Sequence, residues 1–232
     1  MKLLAIGATI ILSATAILAD TAQKNLESAA AVFTEVMGTP DKGIPQDLLE
    51  KAQCVIIIPG LKKAAFVVGG EYGRGFATCR NREGAGWGAP AAIRMEGGSV
   101  GFQIGGSSTD LIMLVMNRRG MDKLLGDKFT LGADASVAAG PVGRTANANT
   151  DVKMDAEILA WSRAKGVFAG ISLNGATIRN DLDDNEALYG RKMTNKEVIM
   201  SDMKVPAQAQ PLIRELDRYS MRGNADRSKD YK

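Results

Sequence analysis

The chain has 232 residues, 45% hydrophobic and 24% charged, which suits one globular domain with a substantial core. A formal charge of +3 and 5% aromatic content give no basis for nucleic-acid binding or base stacking. Histidine is absent, which removes Ser-His-Asp and Cys-His catalysis, histidine-ligated zinc or haem and a histidine pH switch; two cysteines are too few for a cysteine-rich metal site.

Residues 1–19 read as an export signal. Lys2 supplies the positive start and Leu3 to Leu12 the apolar run; Ala14-Thr15-Ala16 and Ile17-Leu18-Ala19 are competing cleavage sites. The rival reading is an uncleaved membrane anchor, for which the run to Leu18 is marginal against a span of ~20 residues. From Thr21 to Met37, Leu26, Ala29, Ala30, Phe33, Val36 and Met37 recur at helical spacing, and Gly38-Thr39-Pro40 stops the helix. This helix either packs on the rest of the chain or lies on a membrane surface, although Lys24 is its one base. A second helix is expected over Gln46 to Ala52, entered through Pro45.

Cys54 to Asn117 carries the main strand signal. Cys54-Val55-Ile56-Ile57-Ile58, Phe66 to Cys79, Gly98 to Gly106 and Thr109 to Met116 are β-branched and aromatic runs punctuated by glycine. Glycines inside strands mark bulges, bends or close backbone approach. The expected fold is therefore α+β: a single domain whose curved, glycine-rich antiparallel sheet, open or rolled toward a barrel, is flanked by N- and C-terminal helices. Cys54 and Cys79 stand on two expected strands. They form either a disulfide worth ~2–4 kcal/mol in an exported protein or two buried thiols.

Downstream, Arg118 to Leu125 reads as a short helix with Met121, Leu124 and Leu125 inward. Lys128 to Val137 alternates like a strand, and Gly140 to Gly143 is a turn. Ala156 to Arg163 and Val167 to Leu173 form a hairpin about Lys165-Gly166. Thr194 with Glu197 fits a capping box for a helix ending at Pro206, and Pro211 starts another helix with Leu212, Leu216 and Tyr219 on one face. Residues 223–232 are charged and expected to fray.

Several motifs fail on inspection. Gly97 to Gly101 matches a nucleophile elbow without a histidine to serve it, and Ser201 to Lys204 lacks the partner motifs of S-x-x-K enzymes. Gly86 to Ala91 resembles a dinucleotide fingerprint, but Pro90 blocks the helix that must follow. Asp181, Asp183 and Asn185 begin like a calcium loop, yet Glu186 stands where glycine is needed and Lys192 where the bidentate glutamate belongs. The alternative is a polar loop capping a helix over Glu186 to Tyr189. No catalytic residue, metal site or cofactor is expected.

What remains is surface charge: Lys62 and Lys63 at a turn after Pro59-Gly60, Arg74, Arg80 and Arg82 on or beside the glycine-rich strands, and Arg94, Arg118 and Arg119 further on. Converging, they would suit phosphate headgroups, because guanidinium forks match phosphate oxygens and glycine amides add donors. Scattered, they are solubilising charge.

Taken in order, Lys51 to Pro59, Gly69 to Gly75, Trp87 to Pro90, Gly101 to Gly106, Thr109-Asp110, Asn117 to Arg119, Leu131 to Arg144, Trp161 to Gly175 and Tyr189-Gly190 resemble the SYLF lipid-binding domain family, which is also linked to actin in yeast. The resemblance runs from about Thr21 to Gly190. It implies a non-enzymatic phospholipid-binding module, with phosphoinositides favoured in eukaryotic members and lipid contact through an N-terminal amphipathic helix and basic residues. The apparent export signal and the base-poor first helix depart from that pattern, so neither actin nor cytosolic phosphoinositides are expected partners. The expected organisation is a signal over 1–19, the lipid-binding domain over 20–190 and a C-terminal helical extension over 191–232. The expected protein is an exported one, in the periplasm or peripheral on an envelope membrane. It would hold anionic phospholipid through Lys62, Lys63, Arg74, Arg80, Arg94, Arg118 and Arg119. The alternative is an envelope protein that binds another protein.

Overall fold

A computed structural model describes residues 21–39, 43–66, 68–81, 86–100, 105–143, 156–164, 167–171, 173–201 and 203–220. The expectations for residues 1–19, for Arg82, for the Lys165-Gly166 turn and for the fraying of 223–232 lie outside these.

Described residues 21–37 form α1, followed by α2 (Gln46–Lys51). Four long strands come next: β1 (Cys54–Phe66), β2 (Val68–Cys79), β3 (Ala91–Val100) and β4 (Gly105–Val115). Then come α3 (Arg118–Leu124), β5 (Lys128–Thr130), β6 (Val137–Ala139), β7 (Ile158–Ala164), β8 (Val167–Gly170) and β9 (Thr177–Asn180). The chain closes through α4 (Leu182–Tyr189), α5 (Asn195–Met200), a 3-10 turn at Ala207–Ala209 and α6 (Gln210–Ser220).

The nine strands make one curled, half-barrel sheet ordered β5-β9-β3-β2-β1-β4-β7-β6, with β8 also paired to β7. Alternation along each strand sends side chains to two layers. The inner layer gathers Ile56, Ile58, Ala77, Ile93, Met95, Leu111, Met113, Ile158, Phe129 and Ile178, drawn from both halves of the sheet. The outer layer, Val55, Ile57, Phe76, Ala92, Ile112, Leu114 and Trp161, is covered by α1, α2 and α6 through Leu26, Phe33, Leu49, Leu212 and Leu216. The expected apolar face of α1 is thus buried against the sheet, and its Leu26 and Phe33 are almost fully excluded from solvent.

β1 is central and contains Pro59, which cannot donate a ladder hydrogen bond. The strand accommodates it with a bulge: register slips between Ile58 and Leu61, and Gly60 takes φ +60°. The Gly60 amide donates to Asp110 Oδ1 at 2.9 Å. Across the same bulge, a methyl group at Gly75 would overlap the Ile57 carbonyl, so only glycine fits there.

The α+β class, the antiparallel body and the flanking helices are as expected, with six adjustments. β1 continues past Pro59-Gly60 through Lys62 and Lys63, which the sequence set at a turn, because the bulge absorbs the proline. The third strand is Ala91–Val100, so the run expected over Gly98 to Gly106 takes in only its last residues and the first two of β4. β6 runs parallel to β7, so the sheet is not wholly antiparallel. Lys128 to Val137 is not one strand: Gly132 at φ +80° turns the chain back so that Leu131 bridges Ala135. Thr194 and Glu197 form the capping box, but α5 stops at Met200, well before Pro206. Asp181 caps α4 by accepting from the Asp184 amide at 3.3 Å, which is the helix-capping reading of that loop, and α4 starts at Leu182 rather than Glu186. Cys54 and Cys79 face each other across β1 and β2 and are joined by a disulfide. Among the described residues no helix is long and apolar enough to cross a membrane, and no acidic or cysteine cluster suits a metal ion.

Candidate functional site

Strand register sorts the basic residues. Arg74 on β2 lies directly opposite Arg94 on β3, which lies opposite Arg179 on β9, which lies opposite Lys128 on β5. Their neighbours Ile93, Met95, Ile178 and Phe129 point into the inner layer, so period-2 alternation puts all four cations on the outer face. At ~4.8 Å between strands the row spans ~14 Å. Beside it runs a second row, Thr130, Thr177, Glu96, Tyr72, Lys62 and Ser108, in which Thr130 and Thr177 share a 3.3 Å hydroxyl hydrogen bond.

Carboxylates meet the cation row from one end and from within. Arg74 donates from Nη1 to Asp184 at 2.9 Å and from Nε to the Tyr72 hydroxyl at 2.9 Å, and its Nε lies 3.3 Å from Asp181. The Tyr72 hydrogen bond, opposed by burial and helped by Asp181 and Asp184, holds Arg74 above its ordinary pKa. Burial first, then the charge of Asp181, pushes the Asp184 carboxyl up to about 6 despite Arg74. Glu96 lies 3.1 Å from Arg94 Nε and 3.6 Å from Arg179 Nε, but neither enclosed Nε has an aligned acceptor.

The other expected contacts lie elsewhere. Lys63, adjacent to Lys62 and therefore on the opposite face, pairs with Glu71 at 2.9 Å. Arg80 is structural: it donates to the carbonyls of Leu49 (3.0 Å), Glu50 (3.3 Å), Ala52 (3.4 Å) and Ser220 (2.6 Å) and stacks on Trp87 at 4.0 Å. It thereby satisfies carbonyls at the C-terminal ends of α2 and α6. Arg118 and Arg119 are exposed at the start of α3, beyond Val115, roughly 23 Å along β4 from Lys62's partner Ser108. Arg118 pairs within its own helix with Asp122 at 3.6 Å.

Of the expected residues, then, Lys62, Arg74 and Arg94 share a face; Lys63, Arg80, Arg118 and Arg119 do not join them. Arg179 and Lys128 were not singled out from the sequence. Their signal is local alternation: Thr177 and Arg179 flank buried Ile178, and Lys128 and Thr130 flank buried Phe129.

A separate cleft of about 380 Å³ opens between α1 and the β1 bulge, lined by Asn25, Ser28, Val32, Gly60, Asp110 and Arg163 among others. Arg163 donates to Asp110 at 2.7 Å and pairs with Glu35, tying α1 to β4 and β7.

The profile described as "Ysc84: Las17-binding protein actin regulator" matches residues 96–219, which takes in the cation row's Arg179 and Lys128 as well as α6. The chain is 32% identical over 191 residues to SH3 domain-containing YSC84-like protein 1 of Homo sapiens, covering 81% of this chain and 55% of that protein. It is 34% identical over 180 residues to Protein YSC84 of Saccharomyces cerevisiae, covering 76% and 38%, and 35% identical over 181 residues to LAS seventeen-binding protein 3 of the same yeast, covering 76% and 39%. The chain thus spans about half the length of the human relative and less of the yeast ones.

Proposed function

The chain belongs to the Ysc84 family, the SYLF family that its sequence resembles, and from that membership we propose that it is a non-enzymatic protein that binds anionic phospholipid. The observation that carries this reading is the shared outer face of Lys62, Arg74 and Arg94, with Arg74 and Arg94 in direct register. Half-buried guanidiniums side by side on one sheet face suit phosphate oxygens, and long-range attraction to an anionic surface adds to them. Residues 1–19 and the Cys54–Cys79 disulfide support export to an oxidising compartment, so the lipid surface in this reading is an envelope membrane.

The test separates two adjacent lysines. Lys62→Glu lowers binding to anionic vesicles by about tenfold, whereas Lys63→Glu, on the other face, leaves it near wild type. Equal effects of the two would remove the outer face from the reading. A second reading, recognition of an envelope protein, draws on the family's description as Las17-binding and on the name of one yeast relative, LAS seventeen-binding protein 3; it leads if the chain ignores every lipid surface but captures a defined partner.

A further inference from the structure

Like charges directly opposite one another in a sheet are destabilising, and here three such pairs follow in succession: Arg74 with Arg94, Arg94 with Arg179, and Arg179 with Lys128. Alternating a carboxylate into the row would relieve it. Instead Glu96, one residue pair along, is shared between Arg94 and Arg179, and each of those guanidiniums keeps an enclosed Nε without an aligned acceptor. Asp181 and Asp184 at Arg74 and Glu96 between Arg94 and Arg179 offset this repulsion only in part; an anion laid along the row offsets more of it.

The row's length decides what kind of anion. At ~14 Å it is much longer than one phosphate group, so a single phosphate engages only part of it. Two large side chains are left exposed near this end of the row, Tyr72 (43%), which accepts from Arg74, and Leu182 (39%), next in sequence to its partner Asp181; they favour a bilayer over a soluble polyanion, because aromatic and aliphatic groups near bases suit the interfacial layer.

We infer that Lys128, Arg179, Arg94 and Arg74 form one membrane-contact row that engages several neighbouring headgroup phosphates at once, extending the proposed lipid site to residues at the β5 edge of the sheet. This rests on the phospholipid reading and adds its own consequences. Binding rises steeply with the fraction of anionic lipid, because each further phosphate is captured at high effective concentration. Removing a cation from the row weakens membrane binding while relieving repulsion in the unbound fold.

The experiment pairs binding with melting. The full chain and its Arg179→Gln, Lys128→Gln and doubly substituted variants are titrated with phosphatidylcholine vesicles containing increasing phosphatidylglycerol, and each is melted without lipid. The expected result is about fivefold weaker binding per cation removed, a shallower dependence on phosphatidylglycerol fraction, and an unchanged or higher melting temperature. Variants that bind like wild type, or that melt lower with unaltered binding, overturn the row as a contact site. Those outcomes leave the broader reading standing if Lys62→Glu still weakens binding; a wild-type chain that binds no vesicle defeats both. Tripolyphosphate that raises the melting temperature of a chain indifferent to vesicles would assign the row to a soluble anion and overturn the membrane assignment.

Discussion

Arg74 on β2 and Asp184 on α4, 110 positions apart in the chain, meet in a 2.9 Å ion pair at the end of the cation row. The pair couples the row to pH. Asp184 is buried, faces Arg74 from β2 and Asp181 and Asp183 from its own segment, and has its carboxyl raised to about 6 from an ordinary 3.8. Asp183 is itself held by Lys192 at 3.6 Å, and Tyr72 and Arg94 lie beyond Arg74. The folded state therefore holds this proton more tightly than the unfolded chain does. The resulting stabilisation is fully present below pH ~4 and is lost as pH rises through ~6.

The first prediction is that Asp184→Asn flattens the part of the melting-temperature profile that rises from pH 7 to pH 5. Protonating Asp184 also removes one negative charge beside Arg74, so wild-type binding to anionic vesicles strengthens over the same interval and the variant's does so less. Parallel profiles for wild type and variant, in melting and in binding, would show that Asp184 does not titrate there.

Arg80 supplies the second prediction. Its guanidinium reaches four main-chain carbonyls and stacks on Trp87, whose indole N–H donates to Ser220 Oγ at 2.9 Å. A lysine cannot reproduce that fork. Arg80→Lys is expected to cost ~2 kcal/mol and Arg80→Ala ~3 kcal/mol in urea denaturation, with vesicle binding by the folded fraction unchanged. A selective loss of binding at full stability would return Arg80 to the lipid site.

The third prediction concerns the disulfide, which closes a sequence separation of 25 within the β1–β2 hairpin. Chain-entropy reasoning gives about 3.5 kcal/mol for a loop of that size. Cys54→Ala with Cys79→Ala should lower unfolding free energy by that order and make stability insensitive to reductant. A wild-type chain whose denaturation midpoint is the same with and without reductant would contradict it.

The fourth tests the bulge. Gly73 and Gly75 lie against Ile58, Leu61 and the Ile57 carbonyl, with no room for a methyl group. Gly75→Ala is expected to destabilise by about 2 kcal/mol or more, because main-chain atoms rather than a flexible side chain must yield. Gly98→Ala, where the added carbon meets nothing, is the control and should be close to neutral.

The elements that local pattern alone specifies were legible: α1 from its Leu26–Phe33 face, β1, β2 and β4 from their apolar runs, the Thr194–Glu197 cap from its spacing. β3 was not: the glycine-punctuated run Gly98 to Gly106 set the expected strand past most of Ala91–Val100. Features set by contacts between distant segments were not. Nothing local to Arg80 announces that two helix C-termini will converge on it. Lys128 to Val137 alternates correctly, and only the left-handed Gly132 breaks it. The cation row is the clearest case, because each strand contributes a single base and only the pairing of β2, β3, β9 and β5 aligns them.

The most direct test of phospholipid binding is co-sedimentation of the full chain with neutral and with anionic vesicles, at low and at moderate salt. Binding confined to anionic vesicles and weakened by salt is expected, since surface attraction is screened over about a Debye length. A chain that stays in the supernatant with both kinds of vesicle at low salt would contradict phospholipid binding outright.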